Sequence, residues 1–592
     1  MRISRFLFPA LLPLLVSSCQ PQPKPVDELH QLFDQAWDFQ LKENPLFATS
    51  AGVHEYDDRL PSVGQKDQER RARYWREMLQ RLGRIDRSRV GDADRISYDM
   101  FERQLSDRLA EFKFKSYLIP LTSEAGFHTS FARLPQRVPL KTARDYENYI
   151  ARLRAFTGYA NEQMDLMRTG IAEGFVLPRV VLEGYTSTIS AHIVKEVKES
   201  VFYAPFQHFP STIPVGRREG LRKVGSEAIL EQVIPTYRRF LEFMTEEYIP
   251  HARPTLGASE LPNGREYYAY LIRHHTTLDL SAQQVHQIGL EEIARIHEEM
   301  MDVIRQVGFK GDFEAFLNFL RSGKRFYARS PEQLLKEASW IAKRMDGKLP
   351  SLFKRLPRQP YGVAPVPESI APRYTAGRYV GAPIDSTRAG TYWVNTYALE
   401  SRPLYALQAL TLHEAVPGHH LQNALRQELK GLPHFRRFSG INAYGEGWGL
   451  YCEWLGLEAG FYTDPYDNFG RLTYEMWRAC RLVVDTGLHA MGWTRQQALD
   501  FLASNTALSL HEIGTETDRY ISWPGQALAY KMGELKIREL RRQAEEALGG
   551  RFDVREFHDV ILGNGPVPLT ILEQLVKSYI EEALSGSAPA GG

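Results

Sequence analysis

Residues 281–307 read SAQQVHQIGLEEIARIHEEMMDVIRQV. Ser281 precedes Gln284 by three positions, the reciprocal pairing that caps the free amides at a helix start. Val285, Ile288, Ile296, Met300, Ile304 and Val307 then recur at helical spacing, and Gly308 closes the segment. Outward from this stretch the same signals repeat. Thr494 with Gln497 opens a helix carrying Ala498, Leu499, Phe501 and Leu502, and Asp464-Pro465 opens one that runs YDNFGRLTYEMWRACRLVV. Residues 145–169 and 227–247 also read as amphipathic helices. Strand signals are few: GTYWVNTY at 390–397 is rich in β-branched and aromatic residues, after proline-rich loops at 356–372. The pattern predicts a mainly α protein with a small β-sheet beside its site.

The 592 residues carry 73 basic and 72 acidic side chains, a net charge of +1, with no basic concentration. A nucleic-acid partner is therefore set aside. The first nineteen residues read MRISRFLFPALLPLLVSSC. Arg2 and Arg5 precede an apolar run from Phe6 to Val16, too short to span a bilayer and interrupted by Pro9 and Pro13. This is an export signal. Val16-Ser17-Ser18-Cys19 resembles a bacterial lipobox, which implies lipidation at Cys19, a membrane anchor and a place in the cell envelope facing the periplasm, at the outer membrane. Residues 20–25 (QPQPKP) form a stiff tether. The body divides into an N-terminal helical lobe, 26–255, and a catalytic lobe, 256–585, with a tail at 586–592 expected to be unstructured. Cys452 and Cys480 fall inside helical patterns and read as two isolated core thiols.

The chemistry concentrates in residues 410–422, LTLHEAVPGHHLQ. A helical zinc signature places two His four residues apart with a Glu after the first, but here Pro417 occupies the second position. On a regular helix His419 and His420 lie roughly 9 and 10.5 Å along the axis from His413, too far for the ~3–3.5 Å that separates ligands of one zinc. Pro417 removes an amide and Gly418 can adopt a positive φ, so the helix is expected to bulge and resume. A two-residue bulge makes His419 the second ligand, and a three-residue bulge makes it His420. Residues 442–458, NAYGEGWGLYCEWLGLE, place Glu446 and Glu453 on one helical face. Glu446 completes a two-His, one-Glu site with an open position, and Glu453 is placed to orient a ligating His. His511-Glu512 has no second His at a usable spacing and reads as structural.

HEAVPGHHLQ followed by EGWGLYCEW resembles the bacterial domain-of-unknown-function family 885, many of whose members are lipoproteins. Its distant relatives are gluzincin peptidases of the thimet-oligopeptidase and thermostable-carboxypeptidase families. The resemblance implies a large two-lobed helical peptidase body with one Zn2+ per chain, held by His413, His419 and Glu446. Gly418-His419 matches the family's Gly-His pair, and Glu446 with Glu453 its paired Glu. It implies Glu414 as general base, Tyr530 or Tyr520 with His489 as oxyanion donors, and Arg481 as a clamp for a substrate carboxylate. The strand at 390–397, with Asn395, is the expected edge along which a peptide substrate lies. The expected function is metal-assisted hydrolysis of short peptides, by an oligopeptidase or carboxypeptidase. The alternatives are a periplasmic metallohydrolase acting on another amide or ester, and a non-catalytic binding lipoprotein. No Gly-x-Ser-x-Gly elbow or phosphate-binding glycine loop is present.

Overall fold

The computed structural model describes residues 25–368, 371–382 and 388–585. The export signal, Cys19 and the tail from 586 lie outside the described residues, and the first helix, Pro25–Glu43, takes up the last residue of the expected tether.

Helices dominate, and many start where local chemistry requires. Ser281 and Gln284 cap one another at the head of Ala282–Gln306. Thr494 and Gln497 do the same for Arg495–Asn505, and Asp464 caps Pro465–Ala490 with Pro465 in the first turn. The segment at 145–169 lies within a 31-residue helix, Ala143–Glu173, closed by Gly174 at φ +81°.

The helix Pro465–Ala490 is the axis of the catalytic half. Every residue from Phe469 to His489 is buried, so its polar side chains must find partners inside the protein. Ala282–Gln306 packs along it, and Gly289 permits the contact: a Cβ there would stand 2.7 Å from Val483 Cγ2. Lys531, fully buried, ties three helices together, with Glu292 at 3.0 Å, Glu475 at 2.9 Å and Glu534 at 2.8 Å. Removing one member would strand buried charge at a cost of about 3–5 kcal/mol.

One apolar core runs from Leu29 to Tyr579 and crosses the boundary expected at 255–256. Cys452 and Cys480 are both buried and free. No described helix is long and apolar enough to cross a membrane.

The sheet has three strands in the order β1-β3-β2: β1 is Tyr361–Pro365, β2 is Gly377–Val380 and β3 is Gly390–Val394. β3 pairs in parallel with β1 and antiparallel with β2. The strand expected at the edge is therefore central, with both sides already hydrogen-bonded, and cannot accept a peptide. β2 holds an edge instead, and it lies along the helix that carries His413.

Candidate metal centre

The helix Leu407–Glu414 ends at Glu414, and a new helix, His419–Glu428, begins after four residues that contain a cis Val416-Pro417 bond. The expected bulge is thus a break. Gly418 has φ −74°, not the positive value expected. Its lack of a side chain serves another purpose: a Cβ would stand 1.8 Å from the carbonyl oxygen of His413. Glycine lets the chain fold back onto the residue whose side chain it must meet. Trp448 Nε1 donates to the Pro417 carbonyl at 2.9 Å and fixes the break to the helix Asn442–Leu455.

This return brings the rings of His413 and His419 to a centroid separation of 4.7 Å at 90°. Glu446 Oε2 lies 3.6 Å from His413 Nε2 and 3.4 Å from His419 Nε2. One donor atom from each of the three residues lies within 4.8 Å of the other two. His420 points elsewhere, its Nδ1 3.1 Å from the Tyr379 hydroxyl and its ring between those of Tyr361 and Tyr379.

Glu453 Oε1 accepts a hydrogen bond from His413 Nδ1 at 2.7 Å, and Arg478 stands 3.4 Å from the same oxygen. The Nδ1 bond to Glu453 sets the orientation in which Nε2, once its proton is displaced by a metal, would present its lone pair towards His419 and Glu446. Gly449 makes room for that ring, since a Cβ would lie 2.5 Å from His413 Cε1. Burial opposes charge on His413, but Glu446, Glu453 and Glu414 together push it up to about 10. Burial likewise opposes charge on Glu446, and His413 and His419 hold it well below the usual carboxylate range. The carboxylates gathered around His413 favour positive charge there, whether a proton on the ring or a metal ion in its place. Two His nitrogens and one carboxylate, with ion-pair separations near the ~3.3 Å edge of a tetrahedral zinc site, fit that metal.

Glu414 accepts a hydrogen bond from the Tyr379 amide of β2 at 2.8 Å, which fixes Oε2. That strand was not recognised in the sequence, being four residues long and containing Gly377 and Arg378.

The other expected site residues are placed differently. His489 is fully buried, its Nδ1 accepting from the Ala258 amide and its Nε2 donating to the Tyr520 carbonyl, both at 2.9 Å. Both nitrogens are taken by backbone, and burial lowers its pKa to about 4. Tyr520 is buried too: its hydroxyl receives Trp477 Nε1 and Arg481 Nε and donates to Glu516 at 2.8 Å. Arg481 lies between the rings of Trp477 and Tyr530, each 4.2 Å away, and bonds Tyr520 and Glu516. It is buried among these partners, with one terminal nitrogen left without an acceptor. Asn395 is fully buried, donating to the carbonyls of Ala371, Tyr374 and Thr375 and accepting from the Tyr397 amide, so it braces a loop. Tyr530 alone of the expected donors is partly exposed with a free hydroxyl proton; Arg519 donates to its oxygen at 3.4 Å.

Residues 45–576 match the profile of the family described as bacterial protein of unknown function, DUF885. A crystal structure of a candidate lipoprotein from Colwellia psychrerythraea is similar, with a TM-score of 0.88 and 28% identity over 94% of this chain and 100% of that one. A candidate lipoprotein of unknown function from Shewanella oneidensis shares the fold, with a TM-score of 0.66 and 18% identity over 93% and 99% of the two chains. No curated protein matches the chain significantly.

Proposed function

The chain belongs to DUF885, a family of bacterial proteins of unknown function, and from that premise we propose that it is a zinc-dependent peptidase of the cell envelope. The observation that carries the reading is the convergence of His413, His419 and Glu446 with an acid, Glu414, next in sequence to the first ligand. A purely structural metal site has no use for that acid.

His413 Nε2, His419 Nε2 and a Glu446 oxygen would hold the metal. Zinc, when bound, supplies Lewis acidity that polarises an amide carbonyl and makes water acidic enough to react near neutral pH. Glu414 receives the proton of the attacking water and returns it to the leaving amine. The Tyr379 amide fixes one oxygen of Glu414 and leaves the other for this exchange. Glu453 keeps His413 in the tautomer that ligation requires. Tyr530 is the donor for the developing oxyanion, a role worth about 2.7–4 kcal/mol where such donors are removed. The Val16–Cys19 sequence, together with similarity to proteins described as candidate lipoproteins, supports a lipid anchor at Cys19 and a periplasmic site of action.

The test is zinc content and short-peptide hydrolysis on protein lacking residues 1–19, beside Glu414→Gln. About one zinc per chain, with cleavage lost in the variant and zinc retained, is expected. Absence of zinc would sink the reading. Zinc without turnover on any peptide would redirect it to another amide or ester.

A further inference from the structure

A cavity of about 250 Å³ lies against the helix Leu407–Glu414. Leu407 and Leu410 line it, and Glu414 follows them on the same helical face, at i+7 and i+4. At 1.5 Å per residue, the cavity lies roughly 6–10 Å along the axis from Glu414. Ala376 and Val394 also line it, beside the start of β2 and at the end of β3. β2, which holds Glu414 through Tyr379, therefore leads from the general base to the mouth of this cavity. Its volume sits just under the roughly 300–1,000 Å³ of drug-sized pockets, so it suits a single residue.

Its polar lining is unusual. Arg321 and Arg402 both face it, and each leaves its Nε buried without an acceptor. Arg402 makes one weak bond, to the Ser401 carbonyl at 3.5 Å, and Arg321 donates to the Thr506 carbonyl at 2.7 Å. Among the described residues no carboxylate comes within 4.0 Å of either guanidinium. Two acids share the lining without bonding either guanidinium. Glu400 is exposed. Burial pushes Glu512 up to about 7, against the charges of Arg402, Arg478 and Arg481, of which Arg402 weighs most. Leu407, Leu410, Tyr405, Tyr474 and Leu508 supply an apolar wall. Unpaired guanidinium donors in an apolar recess are complemented by a carboxylate carried on an apolar body.

We infer that this cavity receives the C-terminal residue of a peptide, its free carboxylate held by Arg402 and Arg321, so that cleavage is measured from the C-terminal end. The inference rests on the peptidase reading for its reaction, and on the cavity alone for its ligand. An extended chain advances about 3.3–3.6 Å per residue, so 6–10 Å places the carboxylate two to three residues beyond the bond at Glu414. The products are short C-terminal fragments. The clamp assigned to Arg481 from the sequence passes to Arg402 and Arg321.

Two measurements test this. In the first, zinc-loaded protein is given peptide pairs differing only in a free acid or an amide at the C-terminus, with a third peptide amide ending in Glu. The free acid should be preferred about 10- to 100-fold in kcat/KM, the worth of a charge-assisted pair, and Arg402→Ala should abolish that preference mainly through KM, with Arg402→Lys restoring part of it. Equal cleavage of acid and amide, or preference for the Glu-ending amide, overturns the inference while leaving the peptidase reading intact. In the second, N-acetylphenylalanine and its amide are titrated into metal-free protein by calorimetry. Binding of the acid alone, lost in Arg402→Ala, supports the cavity's role even if no peptide is ever cleaved; binding of neither overturns it.

Discussion

Glu453 Oε1 lies 2.7 Å from His413 Nδ1, on the helix whose Glu446 faces the other nitrogen of the same ring. One helix thus grips His413 from both sides. Glu453→Gln keeps the size and a hydrogen-bond acceptor but removes the charge, and leaves Arg478 without its carboxylate at 3.4 Å. Zinc affinity should fall about 10- to 100-fold, as for other partners of metal-bound His. Competition with a chelator measures it, and an unchanged affinity would remove Glu453 from the account.

The two histidines after Gly418 should separate cleanly. His419→Gln removes a donor atom facing Glu446 at 3.4 Å, and zinc content should drop towards zero. His420→Gln removes a ring packed against Tyr361 and Tyr379. It should lower stability by about 1–3 kcal/mol while zinc content stays near one per chain. Metal analysis of both variants decides the matter; retention of zinc in His419→Gln with loss in His420→Gln would reverse the ligand assignment.

Helix starts were readable in the sequence because caps are local: Ser281 with Gln284, Thr494 with Gln497, Asp464 before Pro465. The grouping of His413 with Glu446 and one of two later histidines was legible, because Pro417 and Gly418 interrupt a regular spacing; the choice of His419 over His420 came only from the resemblance. The role of Gly418 was not legible, since it depends on the His413 carbonyl lying where a Cβ would go, a contact that exists only after the chain has turned back. The small sheet is present as expected, but the edge position given to its strand was wrong, for a related reason. Gly390–Val394 has strand chemistry, but its position between β1 and β2 is set by segments with weak signals of their own. His489, Tyr520 and Arg481 were assigned to the cleft from the family resemblance alone. Burial of Phe469–His489 on every side turned the polar groups of that helix inward.

Gly418→Ala tests the break directly. The added carbon would stand 1.8 Å from His413 O and 2.5 Å from Leu412 O, both backbone atoms that no rotamer change can move. The cost should reach or exceed the ~1–3 kcal/mol of core overpacking, and His413 itself must shift. A lower Tm together with reduced zinc content is expected. Full zinc occupancy at unchanged Tm would mean the chain does not approach so closely.

Asp485 gives a pH signature away from the metal. It is fully buried, accepting from the Tyr268 hydroxyl at 2.6 Å and the Gly525 amide at 3.1 Å, and no cation lies within 4.0 Å among the described residues. Burial raises its pKa to about 7, against the bonds from Tyr268 and Gly525 that lower it. The folded chain therefore holds a proton that the unfolded chain, with a carboxyl near ~3.9, has released. Its stabilising contribution is complete below the unfolded value and is lost as pH rises towards 7, by up to ~1.4 kcal/mol per pH unit. Asp485→Asn carries no titrating group and should remove this slope. Denaturant unfolding of both proteins from pH 4.5 to 8 should show the variant gaining on the wild type as pH rises, whatever its stability at the acid end. Parallel curves would show that Asp485 is charged in the folded protein throughout.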